Sequence, residues 1–195
     1  MDRILWPLFS KPLYKGDLDV GTLDLSKVDW HQNNSNWLSK DLKVLEDFEF
    51  RRINAQIIAL LNEYFYGVME VNPDIELYIT ESWLNKTETG QSHHRHWHPN
   101  SVLSGIVYLQ TEGESGRTRF VDSRYDTLEL AMNNANIYNS KSWTIAPEVG
   151  KVLIFPSSVE HMVDKYEGAT PRITLAFNTF VRGPINSNPL TELKI

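Results

Sequence analysis

Two hydrophobic periods meet near Asn72-Pro73. Before that point Leu45, Phe48, Ile53, Ile57, Leu60, Leu61 and Tyr64 recur in steps of three and four, which predicts one amphipathic helix over residues 42–67 with a break near Arg51. Beyond it the period shortens to two, with Ile75, Leu77 and Ile79 alternating with Glu76, Tyr78 and Thr80. Runs rich in β-branched and aromatic residues at 102–109, 117–121, 152–155 and 172–181 read as further strands. Turn residues part them at Pro99-Asn100, Gly113 to Gly116, Pro147 to Gly150, Pro156-Ser157 and Gly168 to Pro171. A helical part followed by strands predicts an antiparallel sandwich or barrel flanked by helix, not a βαβ repeat.

At 195 residues the chain suits a single domain, 1–195, with an N-terminal segment 1–71 carrying the helix and a strand-rich core at 72–183. Residues 123–147 follow neither period; a connection of that length folds locally or covers a site, so the span is a candidate lid. The polar patch Asn33-Asn34-Ser35-Asn36 reads as a surface loop.

Composition narrows the function classes. Hydrophobic residues make up 41% and charged residues 23%, enough for a full core and unlike a disordered chain. Lys plus Arg number 19 against 25 Asp plus Glu, a net charge of −6, and no basic run exceeds Arg51-Arg52. That argues against a phosphate-neutralising nucleic-acid surface. With no cysteine, disulfides, thiolate ligands and a Cys nucleophile are excluded, and any metal must be held by His or oxygen. The first residues lack the pattern of a signal peptide, and apolar stretches such as Ile57 to Leu61 are too short for a membrane span. The expectation is a soluble, cytoplasmic protein with no membrane partner; an exposed sheet edge leaves a homodimer open.

Four of the six histidines fall within Ser92-His93-His94-Arg95-His96-Trp97-His98-Pro99-Asn100. On a strand, residues two apart share a face, so His94, His96 and His98 would lie on one side, with His93 and Trp97 on the other. Trp97 is expected to pack beneath the site. A third ligand from a neighbouring strand completes a facial site, and His161, after the strand 152–155 and the turn Pro156-Ser157-Ser158, is the candidate. Imidazoles suit Fe, Co, Ni, Cu or Zn better than Mg or Ca. A polar loop rich in histidine is the plainer alternative.

Arg172 opens Pro171-Arg-Ile-Thr-Leu-Ala-Phe-Asn178, where Arg172, Thr174, Ala176 and Asn178 share one face and Ile173, Leu175 and Phe177 the other. The polar face is either the solvated side of a sheet or a ligand wall on which the guanidinium grips a carboxylate.

Taken in order, His96-x-His98-Pro-Asn-Ser-x-x-Ser104-Gly105-x-x-Tyr108, the Arg117-to-Val121 strand, Gly150-Lys-Val-Leu-Ile-Phe-Pro156, His161 and Arg172 resemble the Fe(II)- and 2-oxoglutarate-dependent dioxygenase superfamily. The match is to its short oxygenase family of about 200 residues. Leu8-Phe-Ser-Lys-Pro-Leu-Tyr14, Ser82-Trp83-Leu84 and Phe155-Pro-Ser-Ser-Val-Glu-His161 extend the resemblance over most of the chain.

The resemblance implies a double-stranded β-helix, a jelly-roll barrel with the N-terminal helix packed on one sheet. It implies Fe(II) held by His96, His98 and His161, with 2-oxoglutarate as cosubstrate and its far carboxylate on Arg172. It also implies a hydroxylation that converts 2-oxoglutarate and O2 to succinate and CO2, on a small-molecule or side-chain substrate. Tyr108 either adds a hydroxyl to the same carboxylate or packs in the core; Asn178 is a candidate to reach the metal or a water. One departure stands out: the superfamily's usual pair is His-x-Asp or His-x-Glu, whereas here His98 stands where the carboxylate belongs. A zinc-dependent hydratase or hydrolase built on three histidines, and a non-catalytic jelly-roll binding module, are the alternatives.

Overall fold

The computed structural model describes residues 4–6, 8–122, 131–186, 190–191 and 193–194. Three short strands, β1 (Tyr14–Asp17), β2 (Trp30–Gln32) and β3 (Trp37–Ser39), precede helix α1 (Arg51–Asn62). The core strands follow as β4 (Glu76–Thr87), β5 (His93–His96), β6 (Leu103–Gln110), β7 (Thr118–Val121), β8 (Ser142–Ile145), β9 (Lys151–Pro156), β10 (Glu160–Val163) and β11 (Arg172–Arg182). A small pair, β12 (Pro184–Ile185) and β13 (Leu193–Lys194), ends the described chain.

Two antiparallel sheets face each other. The larger runs β1-β9-β6-β11-β4-β3-β2 and the smaller β5-β10-β7-β8. The chain crosses between them at nearly every connection from β4 to β11, which is the double-stranded β-helix expected from the sequence. Strands β6, β9 and β11 are buried almost continuously rather than alternately, because both faces of the larger sheet are covered. On one face Leu84, Val107, Val152, Ile154, Leu175 and Phe177 meet Ile53, Ile57 and Leu61 of α1. On the other, Ile106, Tyr108, Leu153 and Phe155 meet Phe120 of the smaller sheet.

The break expected near Arg51 in the helix over 42–67 is present, and the segments on either side of it are shorter than the pattern suggests. Residues Val44–Glu46 and Phe48–Phe50 are separate 3-10 turns, α1 covers only Arg51–Asn62, and Glu63–Val68 widens into a π turn. The cause lies at Asp47, whose extended backbone and side chain, accepting from the Glu49 N–H, stop one turn and start the next.

The span 123–147 is not wholly a connection either: Ser142–Ile145 is strand β8, paired with β7, while residues 123–130 of the expected lid lie outside the described residues. Among the described residues no helix is long and apolar enough to cross a membrane.

Candidate active site

Register brings the histidines together. His96 on β5 lies directly opposite His161 on β10, and His161 opposite Phe120 on β7. Directly opposed residues on antiparallel strands project to the same face, so both imidazoles point into the space between the sheets. His98 follows β5 and is fixed by its backbone N–H donating to Ser157 O at 3.0 Å. The ring centroids of His96, His98 and His161 are 4.3 to 5.1 Å apart, and their ligand nitrogens lie within 4.8 Å of one another.

The three rings are also oriented. His96 Nδ1 donates to His94 O at 2.8 Å, His161 Nδ1 to Val159 O at 3.1 Å, and His98 Nδ1 to Asn178 Oδ1 at 2.6 Å. Oxygen acceptors at Nδ1 place the proton there and leave Nε2 as a bare lone pair on each ring. His98 Nε2 is buried and has no hydrogen-bond partner. Burial pushes His161 down to about 3 and His98 to about 4, with adjacent imidazoles adding to the effect, so the rings are neutral at ordinary pH. Three converging neutral lone pairs are what a divalent transition metal accepts.

A network explains the serines of the motif. Ser104 Oγ donates to Asn178 Oδ1 at 2.8 Å and lies 2.7 Å from Ser157 Oγ, which donates to Ser101 Oγ at 2.7 Å. Asn178 sits at a register shift between β11 and β4, where Thr80 is the extra residue, and Thr80 Oγ1 donates to Asn178 O at 3.2 Å. Asn178 therefore meets the site through His98 rather than directly. Trp83, opposite Ala176, stacks on the His98 ring at 5.7 Å between centroids.

Farther along β11 toward its start, Arg172 is 1% exposed, and its Nε and Nη2 have no hydrogen-bond partner. Burial pulls its pKa below the ordinary arginine value, opposed mainly by Tyr108. Among the described residues no carboxylate pairs with it. Its guanidinium carbon lies 5.2 Å from the centroid of the Tyr108 ring, and the Tyr108 hydroxyl is 2.7 Å from Thr118 Oγ1. Opposite on β4, Thr87 Oγ1 and Asn85 Oδ1 are likewise buried without partners. Arg172, Thr174, Ala176, Asn85 and Trp83 line one cavity with His93, His96, His98 and His161; neither Tyr108 nor Asn178 lines it. A buried guanidinium without an anion is costly, and an incoming carboxylate relieves it. The residues therefore fit both expected groups: three Nε2 atoms for a metal, and an orphaned cation for a dicarboxylate.

A larger cavity of about 350 Å3 lies between α1 and β4, on the opposite face of the sheet, and holds neither histidine nor arginine. The three histidines and Arg172 share the narrower cleft instead.

Three expectations need correcting. Trp97 is 53% exposed and does not pack beneath the site. His93 does not face away: a bulge in the β5–β10 pairing turns it inward, stacked on His96 at 4.6 Å, and His94 is the exposed ring. Asn36, expected in a surface loop, is buried, with its Nδ2 3.3 Å from His93 Nδ1. Strict alternation misplaced His93 because a bulge adds a residue that no polar pattern announces. Asn85 and Thr87 belong to no motif, and Trp83 stands in the Ser82-Trp83-Leu84 block with no site role; their alternation along β4 is the one signal in the sequence that points to them.

Comparisons with known proteins point to one family and one fold. A family model described as "Putative 2OG-Fe(II) oxygenase" matches residues 81–178, about half of the chain. No curated protein matches. Among solved structures the chain resembles the epimerase SnoN in complex with Fe3+, alpha ketoglutarate and nogalamycin RO. That match has a TM-score of 0.60 at 14% identity, covering 93% of this chain and 90% of that one. HygX from Streptomyces hygroscopicus, with nickel and 2-oxoglutarate bound, matches at 0.53 and 10% identity, covering 80% and 74%. A Pseudomonas putida prolyl-4-hydroxylase matches at 0.52 and 14% identity, covering 78% of each chain. At these identities the likeness is one of fold.

Proposed function

The chain belongs to the 2OG-Fe(II) oxygenase family, an oxidoreductase family dependent on Fe(II) and 2-oxoglutarate, and from that premise we propose that it hydroxylates a small molecule or side chain at the centre formed by His96, His98 and His161. The observation that carries the reading is Arg172, a buried guanidinium with two unpartnered nitrogens in the same cleft as three bare imidazole nitrogens.

In this reading the Nε2 atoms of His96, His98 and His161 hold the iron. Arg172 binds the far carboxylate of 2-oxoglutarate, with the Thr87 hydroxyl close at hand across the β4–β11 pairing. Tyr108 stands beside the guanidinium and Thr118 holds its hydroxyl, so Tyr108 positions Arg172. Asn178 holds the proton on His98 Nδ1. Trp83 and Phe155 flank the rings and exclude water from them. When bound, iron and 2-oxoglutarate supply the oxidising chemistry: O2 converts 2-oxoglutarate to succinate and CO2, and the remaining oxygen atom is delivered to a substrate C–H bond.

Three neutral imidazoles leave the full dipositive charge on the metal, whereas a carboxylate would cancel one unit. A zinc hydratase built on the same triad, or a non-catalytic barrel, gives the buried Arg172 no anion and no use.

The test is an anaerobic titration of the protein with Fe(II) and then 2-oxoglutarate, followed by admission of O2. The expected results are a visible charge-transfer band on adding 2-oxoglutarate and succinate on adding O2. Binding of zinc in preference to iron, with no band and no succinate, would overturn the reading.

A further inference from the structure

Besides the three rings assigned to iron, a fourth imidazole faces the same cleft, and its surroundings give it the opposite tautomer. His93 lies opposite Val163 on β10, one step along the strands from the His96–His161 pair, on the side toward Arg172. It stacks on His96 with ring centroids 4.6 Å apart and lines the cavity together with Arg172 and Asn85. Its position is therefore alongside any molecule that reaches from the three imidazoles to the guanidinium.

The tautomer follows from Asn36. The Asn36 amide nitrogen donates to His93 Nδ1 at 3.3 Å, and Asn36 Oδ1 is held in turn by the Asn33 amide at 3.0 Å. Ser35 Oγ donates to Ser92 O at 2.8 Å, so the loop grips both the ring and the residue before it. An amide N–H at Nδ1 requires a lone pair there, which places the proton on Nε2. His93 thus presents a donor where His96, His98 and His161 present lone pairs. The nitrogens of His93, His94 and His96 also lie within 4.8 Å of one another. That trio is not read as a second metal site, because the proton on His93 Nε2 leaves that ring no free lone pair and Nε2 of His96 is assigned to iron.

We propose that His93 is a cosubstrate-positioning residue whose Nε2–H donates to the metal-end carboxylate of bound 2-oxoglutarate, and that the loop Asn33–Asn36 sets its tautomer. The proposal rests on the oxygenase reading above. It draws into the site a segment that lies outside the residues matched by the family model, 81–178.

The experiment uses the full chain and two readouts. In the anaerobic, Fe(II)-loaded protein, His93→Leu is expected to weaken 2-oxoglutarate binding about tenfold, the loss of one charge-assisted hydrogen bond. His93→Gln, which keeps an N–H donor near the same point, should stay within about threefold, and both should bind one equivalent of iron like the parent. In zinc-loaded, 15N-histidine-labelled protein, long-range 1H–15N spectra should show the His93 proton on Nε2 and the protons of the other three rings on Nδ1. Asn36→Leu should abolish that preference at His93.

Unchanged 2-oxoglutarate affinity in His93→Leu, loss of iron with it, or a proton on Nδ1 of His93 in the parent would each overturn the proposal. Should His93→Leu fail to fold, His93→Gln and the spectra decide alone. If the parent binds iron but no 2-oxoglutarate, and Arg172→Ala changes nothing, the oxygenase reading itself has failed, which a defect confined to His93 variants cannot mimic.

Discussion

His98 Nδ1 lies 2.6 Å from Asn178 Oδ1, a contact across the barrel between residues eighty positions apart in the chain. A backbone carbonyl holds the proton on each of the other two rings, so His98 alone depends on a side chain for its tautomer. Groups that hold the distal nitrogen of a ligating histidine typically change metal affinity by about 10–100-fold when removed. Asn178→Leu should therefore weaken Fe(II) or Zn(II) binding by about that factor, whereas Asn178→Asp, which keeps the acceptor, should retain it. Metal titration in a competing chelator measures both.

The buried guanidinium of Arg172 makes a two-sided prediction. Arg172→Met removes an unpaired buried cation and fills the space with an apolar chain, so the ligand-free protein should melt at a higher temperature than the parent. The same substitution should weaken 2-oxoglutarate binding by at least about 2 kcal/mol, roughly 30-fold, with metal content nearly unchanged. Calorimetry and an anaerobic titration read the two effects separately. A variant that loses metal and fold together would count against a role confined to the carboxylate.

Much of this site is legible in the chain. His96, His98, His161 and Arg172 stand out because residue types that are expensive to bury recur beside strand-forming runs, and pairing then brings them together. The alternation along 172–178 correctly separates Ile173, Leu175 and Phe177 from the cleft face. What stays hidden depends on irregular backbone or on sequence-distant partners. The bulge that turns His93 inward has no compositional mark, and burial of Asn36 depends on β3 joining the edge of β4, a pairing no local pattern encodes. The sequence leaves Tyr108 open as core or ligand, and the structure buries it in the core beside the Arg172 guanidinium.

Acid should destabilise the metal-free protein early. Burial lowers the folded-state pKa of His161 to about 3 and of His98 to about 4, against the ordinary imidazole value of 6.5 in the unfolded chain. Between those values the unfolded chain binds protons that the folded chain refuses, so stability rises with pH across that window and is lost as pH falls below about 6.5. Urea denaturation after chelation should show the midpoint dropping from pH 6.5 toward 4. Protons and metal compete for the same nitrogens, so saturating zinc should move the onset of the loss to lower pH.

Gly105 tests whether the Ser104-Gly105 pair is a packing requirement rather than part of the chemistry. It lies inside β6, directly opposite Phe177 on β11, where a Cβ would sit 2.1 Å from the Phe177 ring. Phe177 is fully buried among Leu84, Leu103 and Leu175 and cannot withdraw without opening the face that α1 covers. Overpacking of this kind costs about 1–3 kcal/mol. Gly105→Ala should lower stability by that amount in denaturant titrations. The paired substitution Phe177→Leu should restore part of it, because a branched aliphatic chain leaves room for the new methyl group. The Gly105 backbone lines the cleft of the three histidines, but its added methyl would point to the opposite face, against Phe177, so the double variant should bind metal like the parent; a loss of metal affinity there would mean that the glycine shapes the site itself.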